Sequence, residues 1–203
     1  MEKKIIALTF DDGPVADTTP KLLDLLTKYN VKASFFVVGD QLKEPNVRYV
    51  YQEHELGHEI ENHSRSHLDM KDMNEEEIRD QIDSTSDKIE EITGRRPKFF
   101  RPPYILLSDL MYEKIDLTFI CGYAPGDYIP DITVQALTDG MLSNAKDGLI
   151  VLIHDFPGNV KMLESLETVI PKLLDEGYEF VTVEELFTKK GVVPQKGVMY
   201  SEV

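Results

Sequence analysis

Short apolar runs alternate with longer stretches in which apolar residues recur every three or four positions, and the alternation persists through most of the chain. This is the pattern of parallel strand-and-helix units: a strand buried on both faces reads as a continuous apolar run, and its crossover helix reads as amphipathic. The runs predict seven strands, at residues 5–10, 33–38, 58–61, 98–101, 117–121, 149–154 and 178–182. Six helices are predicted, at 19–29, 46–55, 74–93, 108–114, 133–145 and 161–176. The helix at 74–93 has the clearest punctuation. Asn74 ahead of Glu75, Glu76 and Glu77 supplies an N-cap and an acidic first turn, while Gly94 and Pro97 stop it. Ile78, Ile82, Ile89 and Ile92 form its buried stripe, and the acidic residues between them form a solvated face. Residues 191–203 show little periodicity and are read as a loose tail that either packs across one end or frays. Seven strands with intervening helices over residues 1–203 suit a single α/β domain, either an open doubly wound sheet or a small irregular parallel barrel.

Composition narrows the partners. Aliphatic and aromatic residues make up 41% and charged residues 29%, which is ordinary for a globular chain. The 22 Lys and Arg against 37 Asp and Glu give a formal charge of −15 with no basic block, which argues against a nucleic acid or an anionic membrane surface as partner. Cys121 is alone, so no intramolecular disulfide forms. No apolar run is long enough to insert in a membrane, and no signal-peptide core precedes the first strand, so the chain reads as soluble. A secreted or cell-wall-associated protein without its leader would read identically, which leaves the compartment open. A monomer is assumed, with the oligomeric state unread.

In open α/β sheets and parallel barrels, chemistry gathers at the carboxyl ends of strands. Asp11 and Asp12 end the first predicted strand, within Thr9-Phe10-Asp11-Asp12-Gly13-Pro14. Adjacent residues on an extended chain point opposite ways, so the two carboxylates are expected to have different tasks, unless both merely cap amides of an Asp-Gly-Pro turn. His63 and His67 follow the third strand, and a helical segment there would stack both imidazoles on one face. Two imidazoles and a carboxylate make the ligand set of a hydrolytic zinc centre, with Asp12 or Asp11 as the third ligand; ordinary hydrogen-bonded histidines are the alternative. Arg101, in Phe99-Phe100-Arg101-Pro102-Pro103-Tyr104, offers a guanidinium suited to a carboxylate, or else begins a surface Pro-Pro loop. His154 ends the buried run Val151-Leu152-Ile153-His154-Asp155, either as a proton donor or as a satisfied core histidine. His54 and His58 are assigned to surface and packing.

Taken together and in order, these motifs resemble the polysaccharide deacetylases of carbohydrate esterase family 4, the NodB homology domain. The resemblance implies a distorted, TIM-barrel-like (β/α) barrel of about seven parallel strands and metal-dependent removal of acetyl groups from glycans. It implies Asp12, His63 and His67 as ligands of a divalent metal, zinc first, with cobalt or another divalent ion as alternatives. Asp11 would be the general base held by Arg101, and His154 the acid. The Tyr104 backbone amide would stabilise the developing oxyanion, and Leu152 would line the acetyl pocket, with Pro103 beside the substrate. Two places depart from the family pattern. Ala124 stands where the first aspartate of an Asp-x-x-Asp-Trp motif would support His154, leaving Asp127 or Asp155 as its partner, and Tyr128 stands where Trp is usual. Ile105 follows Tyr104 where Gly is common. The expected substrates are N-acetylglucosamine glycans such as chitin oligomers or peptidoglycan, with acetylxylan as the esterase alternative and a carbohydrate-binding relative with impaired catalysis as a third.

Overall fold

The structure is a computed structural model that describes residues 3–203. Among the described residues eight parallel strands curl into a half-barrel in the order β6-β1-β2-β3-β4-β5-β8, with β7 on the lower part of β1. They are β1 (Lys4–Asp11), β2 (Ser34–Val37), β3 (Glu59–Asn62), β4 (Phe99–Phe100), β5 (Thr118–Ile120), β6 (Ile150–His154), β7 (Tyr178–Phe180) and β8 (Met199–Tyr200). The helices are α1 (Thr19–Tyr29), α2 (Val47–Glu55), α3 (Glu75–Thr93), α4 (Asp109–Lys114), α5 (Val134–Asn144), α6 (Val160–Asp175) and α7 (Val183–Lys190).

β1 is the central strand and is buried from Ile5 onward. Alternation sends Ile6, Leu8 and Phe10 outward to α1 and α6, where they join Leu22, Leu26, Leu166 and Ile170 in the main core. Ile5 and Ala7 face inward, packing with Phe36, Phe99, Ile150 and Phe187. Asp11 continues that inward face at the carboxyl end. Helix α3 starts and stops as its sequence requires: Asn74 and Glu77 form a reciprocal capping box, and Gly94 closes it in the left-handed conformation.

The structure adds one helix to the expectation and decides the two readings left open, for the tail and for the histidine segment. A seventh helix, α7, follows the last predicted strand, capped by a Thr182/Glu185 box. The tail does not fray: β8 pairs with β5, Leu149 bridges Glu202, and the Val203 N–H donates to the Gly148 carbonyl, so the last residues caulk the seam between β5 and β6. The seam closes higher up through a bridge between Tyr123 and Val151, where Gly122 (φ 150°) runs so close to β6 that a Cβ would lie 3.0 Å from the Ile150 carbonyl oxygen. The His63 to His67 segment is a loop, not a helix, with Ser64 at φ 66° and His67 at φ 53°. No helix among the described residues is long and apolar enough to cross a membrane.

Candidate active site and metal centre

The two adjacent aspartates separate as alternation requires. Asp11 stays in register with Phe36 of β2 and His154 of β6, and its buried side chain enters the half-barrel. Asp12 leaves the strand at φ 74°, a left-handed turn that Asp tolerates better than most residues, and its carboxylate swings to the histidine loop. Its Oδ1 lies 3.5 Å from His63 Nε2 and 3.2 Å from His67 Nε2.

His63 Nδ1 is 2.7 Å from the Arg101 carbonyl. A proton on that nitrogen leaves Nε2 with a free lone pair facing Asp12, the outer-shell arrangement usual for metal-bound imidazole. One ligand atom from each of Asp12, His63 and His67 lies within 4.8 Å of the other two. Asp12 Oδ1 is buried and has no hydrogen-bond partner among the described residues, an acceptor left for a further group. Burial works to raise the Asp12 pKa, but the nearby His63, His67 and His154 outweigh it and the net shift is downward. Burial, helped by the neighbouring His63, lowers the His67 pKa and favours the neutral imidazole a metal needs. A charged, orphaned carboxylate oxygen between two imidazole nitrogens fits a divalent cation.

Behind this cluster Arg101 is fully buried. Its Nη1 donates to Asp11 Oδ1 at 2.6 Å, Nη2 donates to the Cys121 carbonyl, and the guanidinium sits 4.2 Å over the Phe36 ring. Asp11 Oδ2 is left 3.8 Å from His63 Nε2. Across the cleft His154 Nδ1 meets Asp127 Oδ1 at 2.9 Å. Asp127 Oδ2 accepts from the His154 backbone N–H at 2.7 Å and from Asn159 at 2.8 Å. Burial alone would lower the His154 pKa, but Asp127, with the charges of Asp11 and Asp12, drives it upward. Asp127 therefore occupies the supporting position left open by Ala124. Asp155, the other candidate, instead accepts from Thr19 Oγ1 at the start of α1.

The cleft over these groups has a volume of about 390 Å³, and Leu152, Tyr104, Ile105, Ala124, Tyr128 and Phe156 supply its apolar walls. Pro103, expected beside the substrate, is buried at the start of a 3₁₀ turn, and Pro102 lines the cleft in its place. Asn159 and Phe156 were not expected from sequence. Both follow β6 closely, and their proximity to its carboxyl end was the available signal.

The sequence model for "Polysaccharide deacetylase" matches residues 1–119. The bifunctional xylanase/deacetylase of Pseudobutyrivibrio xylanivorans is 46% identical over 95% of this chain, which spans 32% of that protein. The peptidoglycan-N-acetylglucosamine deacetylase PgdA of Listeria monocytogenes is 38% identical over 92% of the chain, which spans 40% of that protein. The chain thus spans well under half the length of these two curated relatives. A family 4 acetyl xylan esterase from Clostridium thermocellum, solved in complex with a cobalt ion, superposes with a TM-score of 0.94 at 41% identity, covering 98% of this chain and 99% of that one. Shared over essentially the whole length of a solved relative and over more than half the chain by sequence pattern, these likenesses show that the chain belongs to the polysaccharide deacetylase family.

Proposed function

We propose that residues 1–203 act as one catalytic unit, a metal-dependent hydrolase that removes acetyl groups from a glycan, with O-acetylated xylan as the first substrate class. The observation that carries this reading is the placement of two separate proton-handling pairs, Asp11 with Arg101 and His154 with Asp127, around one cleft beside the Asp12, His63 and His67 cluster.

Asp12, His63 and His67 would hold the cation, zinc by the chemistry of a two-imidazole, one-carboxylate set, with cobalt as the ion present in a solved relative. When bound, such an ion supplies Lewis acidity and makes water a nucleophile near neutral pH. Asp11 Oδ2 accepts the proton of the attacking water, and Arg101 is its positioning residue, because the ion pair at Oδ1 fixes the carboxylate. The Tyr104 backbone amide donates to the oxygen on which negative charge develops. His154 Nε2 returns a proton to the departing sugar atom, its other nitrogen held by Asp127. Leu152, in the cleft wall, meets the acetyl methyl. The intact His154–Asp127 pair favours catalysis over a binding-only role.

Xylan is favoured by two of the relatives, named a xylanase/deacetylase and an acetyl xylan esterase, and by a cleft with no lysine or arginine among its described lining residues. The chain's charge of −15 also disfavours highly anionic polymers at low salt. The peptidoglycan deacetylase among the relatives supports the second reading, N-deacetylation of N-acetylglucosamine glycans. Acetate release by zinc- or cobalt-loaded protein decides between them: acetylxylan should be the better substrate, ahead of chitopentaose and peptidoglycan. Asp11→Asn should lose about 10³-fold or more in turnover while its metal content is unchanged. Acetate release from none of the glycans, or a fully active Asp11→Asn protein, defeats the reading.

A further inference from the structure

Tyr104 and Ile105 are consecutive non-glycine residues in the left-handed region, at φ 57° and 56°. For a β-branched residue such as Ile this is an outlier, because the branched Cβ crowds its own backbone. Strain of this kind persists where the surrounding structure holds it, and it clusters at ligand clamps. Core packing does not account for the Ile105 side chain. It is half-buried and belongs to none of the three hydrophobic clusters, yet it lines the cleft. The position is close to the chemistry: the Tyr104 ring stands edge-on to His67, with centroids 4.7 Å apart. Ile105 thus lines the cleft one residue from that contact.

We propose that Ile105 is a specificity-determining residue. Its side chain narrows the cleft beside the acetylated sugar and so selects a pentopyranose backbone, which carries no exocyclic carbon on C5, over a hexopyranose backbone, whose hydroxymethyl group would meet it. The inference rests on the glycan-deacetylase reading above for its substrate, but its test does not depend on turnover. Xylohexaose and cellohexaose share the β-1,4 backbone and differ only in that hydroxymethyl group, so calorimetric binding of these two unacetylated oligomers isolates the contact.

Glycine takes the left-handed conformation freely, so Ile105→Gly should fold with an unchanged or higher melting temperature. One hydroxymethyl against one wall is expected to shift the cellohexaose-to-xylohexaose affinity ratio by about 10-fold toward the hexose, the scale on which apolar pockets sort small substituents. Ile105→Ala, a second variant that keeps a Cβ, should give a smaller shift in the same direction. An unchanged ratio in both variants, or a shift toward xylohexaose, overturns the proposal. A wild type that releases no acetate from any glycan while the affinity ratio shifts as expected defeats the deacetylase reading and leaves the Ile105 inference standing.

Discussion

The two ends of the half-barrel both bury carboxylates, and they do so in opposite ways. At the amino end, Glu59 accepts from Ser34 Oγ at 2.5 Å and from the backbone N–H groups of Val183 and Glu184 at 3.0 and 3.1 Å. Glu61 accepts from the N–H groups of Lys98 and Phe99 at 2.8 and 2.7 Å. These side chains tie the start of α7 and the approach to β4 to β3. At the carboxyl end, two residues on from Glu61 and just beyond β3, His63 looks instead toward Asp12, whose buried Oδ1 has no hydrogen-bond donor among the described residues. Burial does not separate the two ends; completion of the hydrogen bonding does.

An orphaned oxygen is not sufficient by itself. Neither carboxylate oxygen of Glu53, on α2, has a partner among the described residues, but complete burial pushes its pKa well up, which favours the neutral acid. Asp12 differs in being held charged by its imidazole neighbours. An unpartnered acceptor that is also kept ionised marks the place for a cation.

Exchanging one group from each end breaks the comparison most severely. Asp12→Ala should abolish metal uptake, read by elemental analysis, and reduce acetate release by about 10³-fold or more, with no loss of urea stability in metal-free protein. Glu61→Ala should do the reverse. Two backbone N–H groups lose their acceptor at a cost of about 2 kcal/mol or more in urea unfolding, while metal stoichiometry and turnover per folded molecule persist. A metal-free but otherwise intact Glu61→Ala protein would erase the distinction.

The next effect is in the pH profile. His154 takes its raised pKa from a balance in which burial lowers it and Asp127, Asp11 and Asp12 raise it further. The protonated donor therefore persists to higher pH than an ordinary histidine would allow. Asp127→Asn should lower kcat and move the basic limb of kcat against pH to lower values, and an unmoved limb would remove His154 from the acid role.

The smallest effect sharpens the amino end. Burial raises Glu59 to about 7, against a usual value of 4.5, with the Ser34 and backbone hydrogen bonds opposing the shift. Between these values the folded protein binds the proton that the unfolded chain releases, so stability conferred by Glu59 is full below pH 4.5 and is lost as pH rises through about 7. Glu59→Gln should flatten urea stability across that window by on the order of 1 kcal/mol; a curve as steep as wild type would place the titration elsewhere.

Sequence was informative where the physics is local. The α3 boundaries follow from Asn74, Glu77 and Gly94, and the buried runs mark seven strands to within a few residues, because caps and apolar periodicity need only near neighbours. The missed α7 had a local signal in Thr182-Val183-Glu184-Glu185, a capping box behind a strand that was allowed to end the pattern. Strand β8 had none. Its two residues are strand only because β5 offers an open edge there.

The chain alone determined the alternation of parallel strands and helices and the order of the reactive residues at the strand ends, since strand ends and motif chemistry are written in consecutive positions, while the choice of a barrel over an open sheet rested on the family resemblance. Tertiary structure decided which groups meet. It turned Asp12 away from Asp11, brought His67 beside His63 through two left-handed loop residues, gave His154 to Asp127 rather than Asp155, and set Pro102 in the cleft instead of Pro103. Each of these outcomes depends on backbone direction at a turn or on a partner many residues distant, and neither leaves a periodic trace in the sequence.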